Sequence, residues 1–466
     1  MKYLIVSVWM CCSVLSGWAQ SVAQKLDRYV QSAALLERSE AGIVVFDLTD
    51  GTPVYRYQDK KLYRPASVEK IVTAVTALSV LGEDYRFETR MGYVGEITPD
   101  SVLKGDLYVR GGFDPEFMPD DLERLARSVR SMGINRISGK LIGDVSLMDS
   151  VYWGAGWSWD DTPESFQPYL SPLMLNRGCV DITVRPSEPG MPPSVTVFPE
   201  SDSYTVENAA RSHAPECGTV RITRDWLHHS NLIQISGNVT RTQKRTLNVC
   251  DPACFFLRSF RNVLYKQDIH VEEVAQGIIP DTAVVWMDTV VRPLDPVLKR
   301  ALKKSDNLSA EALFYHLGIH EKGMPYSGVE ESREVICRFM KEKIGRIPEN
   351  YRIADGSGVS LYNYISPDLL VEYLKYAYYH SAVFQPFYEA LPIAGIDGTL
   401  QHRMKGGKAY RNVRAKTGTV TGVSSLAGYV RSRNGHMLAF AIINQNVLKG
   451  KEARNFQDKI CEILAN

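Results

Sequence analysis

Pro65-Ala66-Ser67-Val68-Glu69-Lys70-Ile71-Val72 opens a stretch in which Val68, Ile71, Val72, Val75, Leu78 and Leu81 recur at helical spacing. The pattern predicts a helix with Ser67 near its N-terminus, where backbone N–H groups point outward, and Lys70 one turn on, on the same face. A serine hydroxyl is a poor nucleophile by itself. A lysine within hydrogen-bond reach, its pKa lowered by burial or by a neighbouring cation, can take the hydroxyl proton. Taken alone the pair is ordinary, and Ser101-Val102-Leu103-Lys104 repeats the spacing with no helix to host it.

Two later triplets add weight. Ser305-Asp306-Asn307 falls at a break between DPVLKRALKKS and NLSAEALFYHLG, both of helical pattern, where helix capping is the plain reading. Lys416-Thr417-Gly418-Thr419 ends a strand-like run. There a cation and hydroxyls can meet a substrate carboxylate, while Gly418 leaves room for a peptide backbone beside the strand. S-x-x-K on a helix, then S-D-N between helices, then K-T-G on a strand is an order that chance seldom produces.

Around these motifs, GIVVFDL, the turn TDGT and PVYRYQ read as a hairpin near the start. NVRAKTG, SSLAGYVR, the turn RNG and HMLAFAIIN read as strands near the end, before a closing helix at ARNFQDKICEIL. Strands from both ends can share one antiparallel sheet flanked by helices, an α+β arrangement with the termini close together. Between them, residues 90–285 change to short strand-like runs such as KLIGDVSL, VDITVRP, PSVTVFP and GTVRITR, punctuated by Pro, Gly, Ser and Asp. The expected organisation is therefore residues 20–89 and 286–466 as one catalytic domain, with 90–285 as a large β-rich insertion of one or two domains.

The 466 residues carry 54 Lys and Arg against 53 Asp and Glu, with 44% hydrophobic residues, which excludes disordered, collagen-like and cysteine-stapled classes. A net charge of +1 gives no general pull toward nucleic acid or anionic membrane. Lys2 precedes the apolar run YLIVSVWMCCSVLSG, and Gly17-Trp18-Ala19 supplies a small-x-small cleavage site; residues 1–19 are expected to be a signal peptide for the periplasm or envelope. The run is shorter than the roughly 18 apolar residues of a spanning helix. A lipid anchor on Cys11 or Cys12 is the lesser alternative. Cys250 and Cys254 are placed either to clip a local loop or to remain free thiols. The C-terminal CEILAN has no basic amphipathic extension, so no strong membrane anchor is expected there. No H-E-x-x-H spacing occurs among the nine His, which disfavours a zinc peptidase, and neither metal nor cofactor is expected.

Together RPASVEKIVTA, GDLYVRGGFDPEF, ISGKLIGDVS, GWSWDD, LKKSDNLSAEALFYHLG, DGSGVS, LPIAGIDGTL and RAKTGT run from end to end of the mature chain. In these the sequence resembles the class C low-molecular-mass penicillin-binding proteins, D-alanyl-D-alanine carboxypeptidases and endopeptidases of the penicillin-binding protein 4 type. The resemblance implies a β-lactamase/transpeptidase-like catalytic domain, peptidoglycan stem peptides as substrate and β-lactams as covalent inhibitors. It implies Ser67 as the acylated nucleophile, Lys70 as its base, Ser305 and Asn307 as proton relay and amide holder, and Lys416 as completing the cationic network. The N–H groups of Ser67 and Thr419 would form the oxyanion hole. Thr417, Gly418, Thr419 and Asp306 are expected along the substrate, with Ser357 and Gly358 of the DGSGVS segment in the wall of the site. Tyr152, Trp153, Trp157, Trp159, Asp160 and Asp161 either recognise the stem side chain or pack within the insertion. Many relatives carry Arg where this chain has Leu361, which puts recognition of a stem carboxylate at that point in question. A serine β-lactamase and a non-catalytic wall-binding protein are the alternatives. The first is disfavoured because no E-x-x-L-N-like segment follows Asn307, the second because all five catalytic positions are intact. Oligomeric state is not legible.

Overall fold

The computed structural model describes residues 22–213, 218–280, 284–322 and 327–466; the expected signal peptide, with Cys11 and Cys12, and Cys217 lie outside them. The chain divides into two units. The first comprises the residues up to Glu83, Leu298–Leu317 and Ser332–Asn466, and the second comprises Asp84–Val297 and Gly318–Glu331.

In the first unit, strands from both chain ends share one antiparallel sheet. Its members are β1 (Glu40–Asp47), β2 (Thr52–Tyr57), β3 (Arg414–Val420), β4 (Val423–Arg431) and β5 (Met437–Gln445), in the order β3-β4-β5-β1-β2. β1, β4 and β5 are buried along nearly their whole length, because both faces are covered. Side chains alternate across a strand. Ile43 and Val45 of β1 join Leu426, Phe440 and Ile442 in one core with Val22, Leu26 and Val30 of a helix over 22–31 and with Phe456, Ile460 and Leu464 of α4 (Gly450–Ala465). Gly42 faces the other way, where a Cβ would fall 2.7 Å from Pro367 at the start of α3 (Pro367–Tyr379). Tyr29 stacks on Phe456 at 5.4 Å, so the first helix and the last pack together.

The S-x-x-K stretch folds as a 3-10 turn, Ala66–Glu69, running into α1 (Lys70–Val80); Lys70 through Leu78 are all buried. The segment is thus enclosed on every side, where the apolar periodicity predicts one covered face.

The second unit is β-rich, as the short alternating runs predict. Its largest sheet orders Glu273–Gln276, Lys140–Asp144, Val102–Arg110, Arg86–Ile97 and Val285–Pro293, with Arg136–Ile137 beside Val102–Arg110. Because Val285–Pro293 pairs with Arg86–Ile97, the segment that continues to Val297 lies in this unit, where the sequence reading ends the insertion at 285. Two helices not anticipated, Pro119–Ser131 and Pro252–Lys266, contribute Leu122, Leu125, Phe256 and Phe260 to its core. Asp251 caps the second by accepting from Cys254 N at 2.9 Å, and both Cys250 and Cys254 are free thiols. Trp153 packs edge-on against Trp157 and leans on Tyr169, which favours packing for these members of the aromatic cluster, whereas Trp159 is 66% exposed beside Trp226. Among the described residues no helix is long and apolar enough to cross a membrane.

Candidate active site

In a 3-10 turn, residues three apart eclipse one another. Lys70 Nζ accordingly lies 3.0 Å from Ser67 Oγ. The turn is entered through Ala66 at φ 51°, a conformation L-residues seldom adopt. Ser67 is half-buried and Lys70 is 1% exposed. Lys70 also donates to Asn307 Oδ1 and to the Ser357 carbonyl, each at 2.7 Å. Burial lowers its pKa to about 8, against the opposing pull of Asp355, Glu311, Asp306 and Glu69.

Ser305, Asp306 and Asn307 lead into α2 (Asn307–Lys322) with three separate tasks. Ser305, at φ 58°, accepts from Lys416 Nζ at 2.7 Å. Asn307 faces Lys70. Asp306, between them, turns back to cap α2, accepting from Ser309 N at 2.8 Å, so the plain capping reading describes this member of the triplet.

From β3, Lys416 reaches Ser305 and its neighbouring carbonyl, Thr417 O, at 2.6 Å. It is wholly buried, and that burial, reinforced by Lys70, holds its pKa well below the ordinary lysine range. Thr417 donates to Thr399 Oγ1 at 2.7 Å, and Thr419 is exposed. A Cβ on Gly418 would lie 2.1 Å from Ser425 Oγ and 2.9 Å from both Pro65 O and Ser67 N. Only a glycine therefore lets β3 pass over the turn that carries Ser67.

Ser357 and Gly358 do not border open space. Both are buried; Ser357 offers its carbonyl to Lys70, and a Cβ on Gly358, at φ +81°, would strike the Ala66 carbonyl at 2.1 Å. They back the lysine, with no surface left for a ligand. Leu361 is half-buried beside them.

The sequence reading missed several groups: Glu311, Asp355, Thr73, Thr399, Ser425 and Glu69. Glu69 is fully buried, neither carboxyl oxygen has a hydrogen-bond partner among the described residues, and burial, then Asp355, push its pKa well above the usual range. Its adjacency to Lys70 in the motif is the one signal that could have drawn attention to it.

Lys70 thus joins Ser67 and Asn307 in one hydrogen-bonded group and Lys416 joins Ser305 in another, both lysines buried and both serines half-buried, an arrangement able to move a proton from a serine hydroxyl. The family model described as D-Ala-D-Ala carboxypeptidase 3 (S13) matches residues 22–466. The chain is 30% identical to the D-alanyl-D-alanine carboxypeptidase of Actinomadura sp. (strain R39), over 95% of this chain and 84% of that protein. It is 28% identical to the D-alanyl-D-alanine carboxypeptidase DacB of Haemophilus influenzae, over 87% of this chain and 85% of that protein. The crystal structure of penicillin binding protein 4 (dacB) from Haemophilus influenzae superposes with a TM-score of 0.83 at 24% identity, covering 95% of this chain and 99% of that one, a likeness of fold.

Proposed function

This chain belongs to the D-Ala-D-Ala carboxypeptidase 3 (S13) family, and we propose that its serine carboxypeptidase activity runs through an acyl-enzyme on Ser67. The observation that carries the reading is the set of three contacts at Lys70. A neutral amine has two N–H groups and one lone pair. Asn307 Oδ1 and Ser357 O can only accept, so they take the two N–H groups, and the lone pair is left for Ser67, the partner with a proton to give. Ser67 Oγ then attacks the carbonyl of the penultimate D-alanine while its proton passes to Lys70. The tetrahedral oxyanion is met by the N–H groups of Ser67 and Thr419. Collapse breaks the peptide bond; the departing amine takes, by way of Ser305, which Lys416 holds, the proton that Lys70 received from Ser67, and leaves as D-alanine with Lys70 neutral again. Water then hydrolyses the ester. Thr417 and Thr419, with Lys416 behind them, engage the terminal carboxylate, while Gly418 is required by the Ser67 turn beneath it and not by the substrate backbone. Cleavage of cross-linked stem peptides, with the partner strand as leaving group, follows the same steps. Peptidoglycan as the substrate supports a location in the periplasm or cell envelope.

The test is mass analysis of the purified protein after incubation with a fluorescent penicillin, a D-Ala-D-Ala pentapeptide and a cross-linked muropeptide. One covalent adduct on Ser67, release of D-alanine and cleavage of the cross-link are expected. No adduct on Ser67 would sink the assignment and leave a non-catalytic wall binder. Rapid release of penicilloate would make the protein a β-lactamase, and D-alanine release without cross-link cleavage would remove the endopeptidase activity.

A further inference from the structure

The segment Asp355–Ser360 is gripped from two sides. On one, the Asp355 carboxylate accepts from the N–H groups of Gly358 and Ser360 and from Asn363 Nδ2, each at 2.7 Å. On the other is Glu311, 1% exposed and one turn beyond Asn307 on α2. It accepts from Ser357 N at 2.8 Å through Oε1 and from Gly356 N at 3.2 Å through Oε2. Thr73 Oγ1 of α1 donates to the Gly356 carbonyl at 2.7 Å, and the next carbonyl, that of Ser357, accepts from Lys70. One helix therefore governs both acceptors on the lysine: Asn307 directly, and Ser357 by way of Glu311.

We propose that Glu311 is a positioning residue for proton transfer from Ser67: its carboxyl group holds the Ser357 carbonyl where it occupies one N–H of Lys70, leaving the lysine lone pair aimed at the serine hydroxyl. The inference rests on the reaction proposed above and adds a residue that contacts neither Ser67 nor substrate. Burial, with Asp355 nearby, raises the Glu311 pKa to about 8. The group is thus kept in the interior at an electrostatic cost that an apolar residue would avoid, which suits a task beyond packing.

Stopped-flow acylation by a fluorescent penicillin tests this on the wild type, Glu311→Gln and Glu311→Asp, over a pH range spanning the Lys70 pKa of about 8, with thermal unfolding of each protein. The Gln side chain keeps the volume and one acceptor but sets an amide NH2 against a backbone N–H. The plateau rate of Glu311→Gln should fall about 10–100-fold, as expected for a misplaced reacting group, with noncovalent penicillin affinity unchanged. Its acid limb should also move to lower pH, since the Lys70 ammonium loses a well-placed acceptor in the Ser357 carbonyl; Asp355, Asp306, Glu69 and Lys416 remain around it. Glu311→Asp, with two acceptors, should recover part of the rate. A lower plateau with an unmoved limb would make Glu311 merely structural, and wild-type values in both would overturn the proposal outright. Should Glu311→Gln lack a cooperative thermal transition, Glu311→Asp decides alone, wild-type limb and plateau counting against the proposal. A wild type that forms no adduct refutes the reaction itself, which separates the two failures.

Discussion

Lys70 must lose a proton before it can accept one, and its surroundings set the pH at which it does so. Burial outweighs the nearby carboxylates, so the ammonium form is destabilised and the pKa falls from the ordinary lysine value of 10.5 to about 8. Below that pH the neutral, base-competent fraction drops about tenfold per unit. Acylation of Ser67 should therefore climb with unit slope toward pH 8 and level above it, as a rate profile with a slowly acylating β-lactam would record; a profile flat from pH 6 to 8 would mean that another group takes the proton. At this scale Ser67 and Lys70 were legible because one turn of chain brings them together. Glu311 was not, since its bonds go to backbone N–H groups 45 and 46 positions away and leave no pattern in the side-chain types. Asp306 shows the converse: a triplet of promising residues contains one whose side chain is consumed by a helix cap.

β3 and the Ala66–Glu69 turn meet at Gly418, opposite Ser425 of β4 in the sheet register. Ser425 Oγ donates to the Pro65 carbonyl at 2.6 Å, tying the sheet to the entry of the turn that carries Ser67. Gly418→Ala would drive a methyl group into that hydroxyl and toward Pro65 O and Ser67 N, neither of which is a flexible chain end. Overpacking of this kind costs about 1–3 kcal/mol. The variant should show a lower Tm by calorimetry and slower acylation, because displacing Ser67 N disturbs both the nucleophile and the proposed oxyanion donor. Acylation and Tm both at wild-type values would show that β3 does not press on the turn. Strands β1 to β5 were readable from apolar and β-branched runs bounded by turn residues. The helices Pro119–Ser131 and Pro252–Lys266 were passed over although Pro stands at the first position of each, after Met118 and Asp251 respectively. The surrounding strand-like texture masked them.

For the molecule as a whole, a net charge of +1 means that capture of a peptide relies on groups near the site, with no long-range field to gather it. kcat/KM for a stem peptide should change by less than about twofold between roughly 0.05 and 0.5 M salt, once screening lengths fall to a few ångströms. A steep decline would reveal a steering surface that the balanced composition conceals. The α+β class, the shared sheet of both chain ends and the β-rich insertion followed from periodicity, turn residues and the order of three motifs, since each depends on local spacing. The sequence by itself picked out Ser67, Lys70, Ser305, Asn307 and Lys416, which the fold brings into neighbouring hydrogen-bonded groups. Only the tertiary structure decided how they are poised: that Lys70 and Lys416 are buried enough to lose protons readily, that Ser357 and Gly358 stand behind the lysine, and that Glu311 and Asp355 hold the carbonyl on which it leans. Burial and the direction of a backbone carbonyl are properties of distant segments packed together, and no short stretch of sequence encodes them.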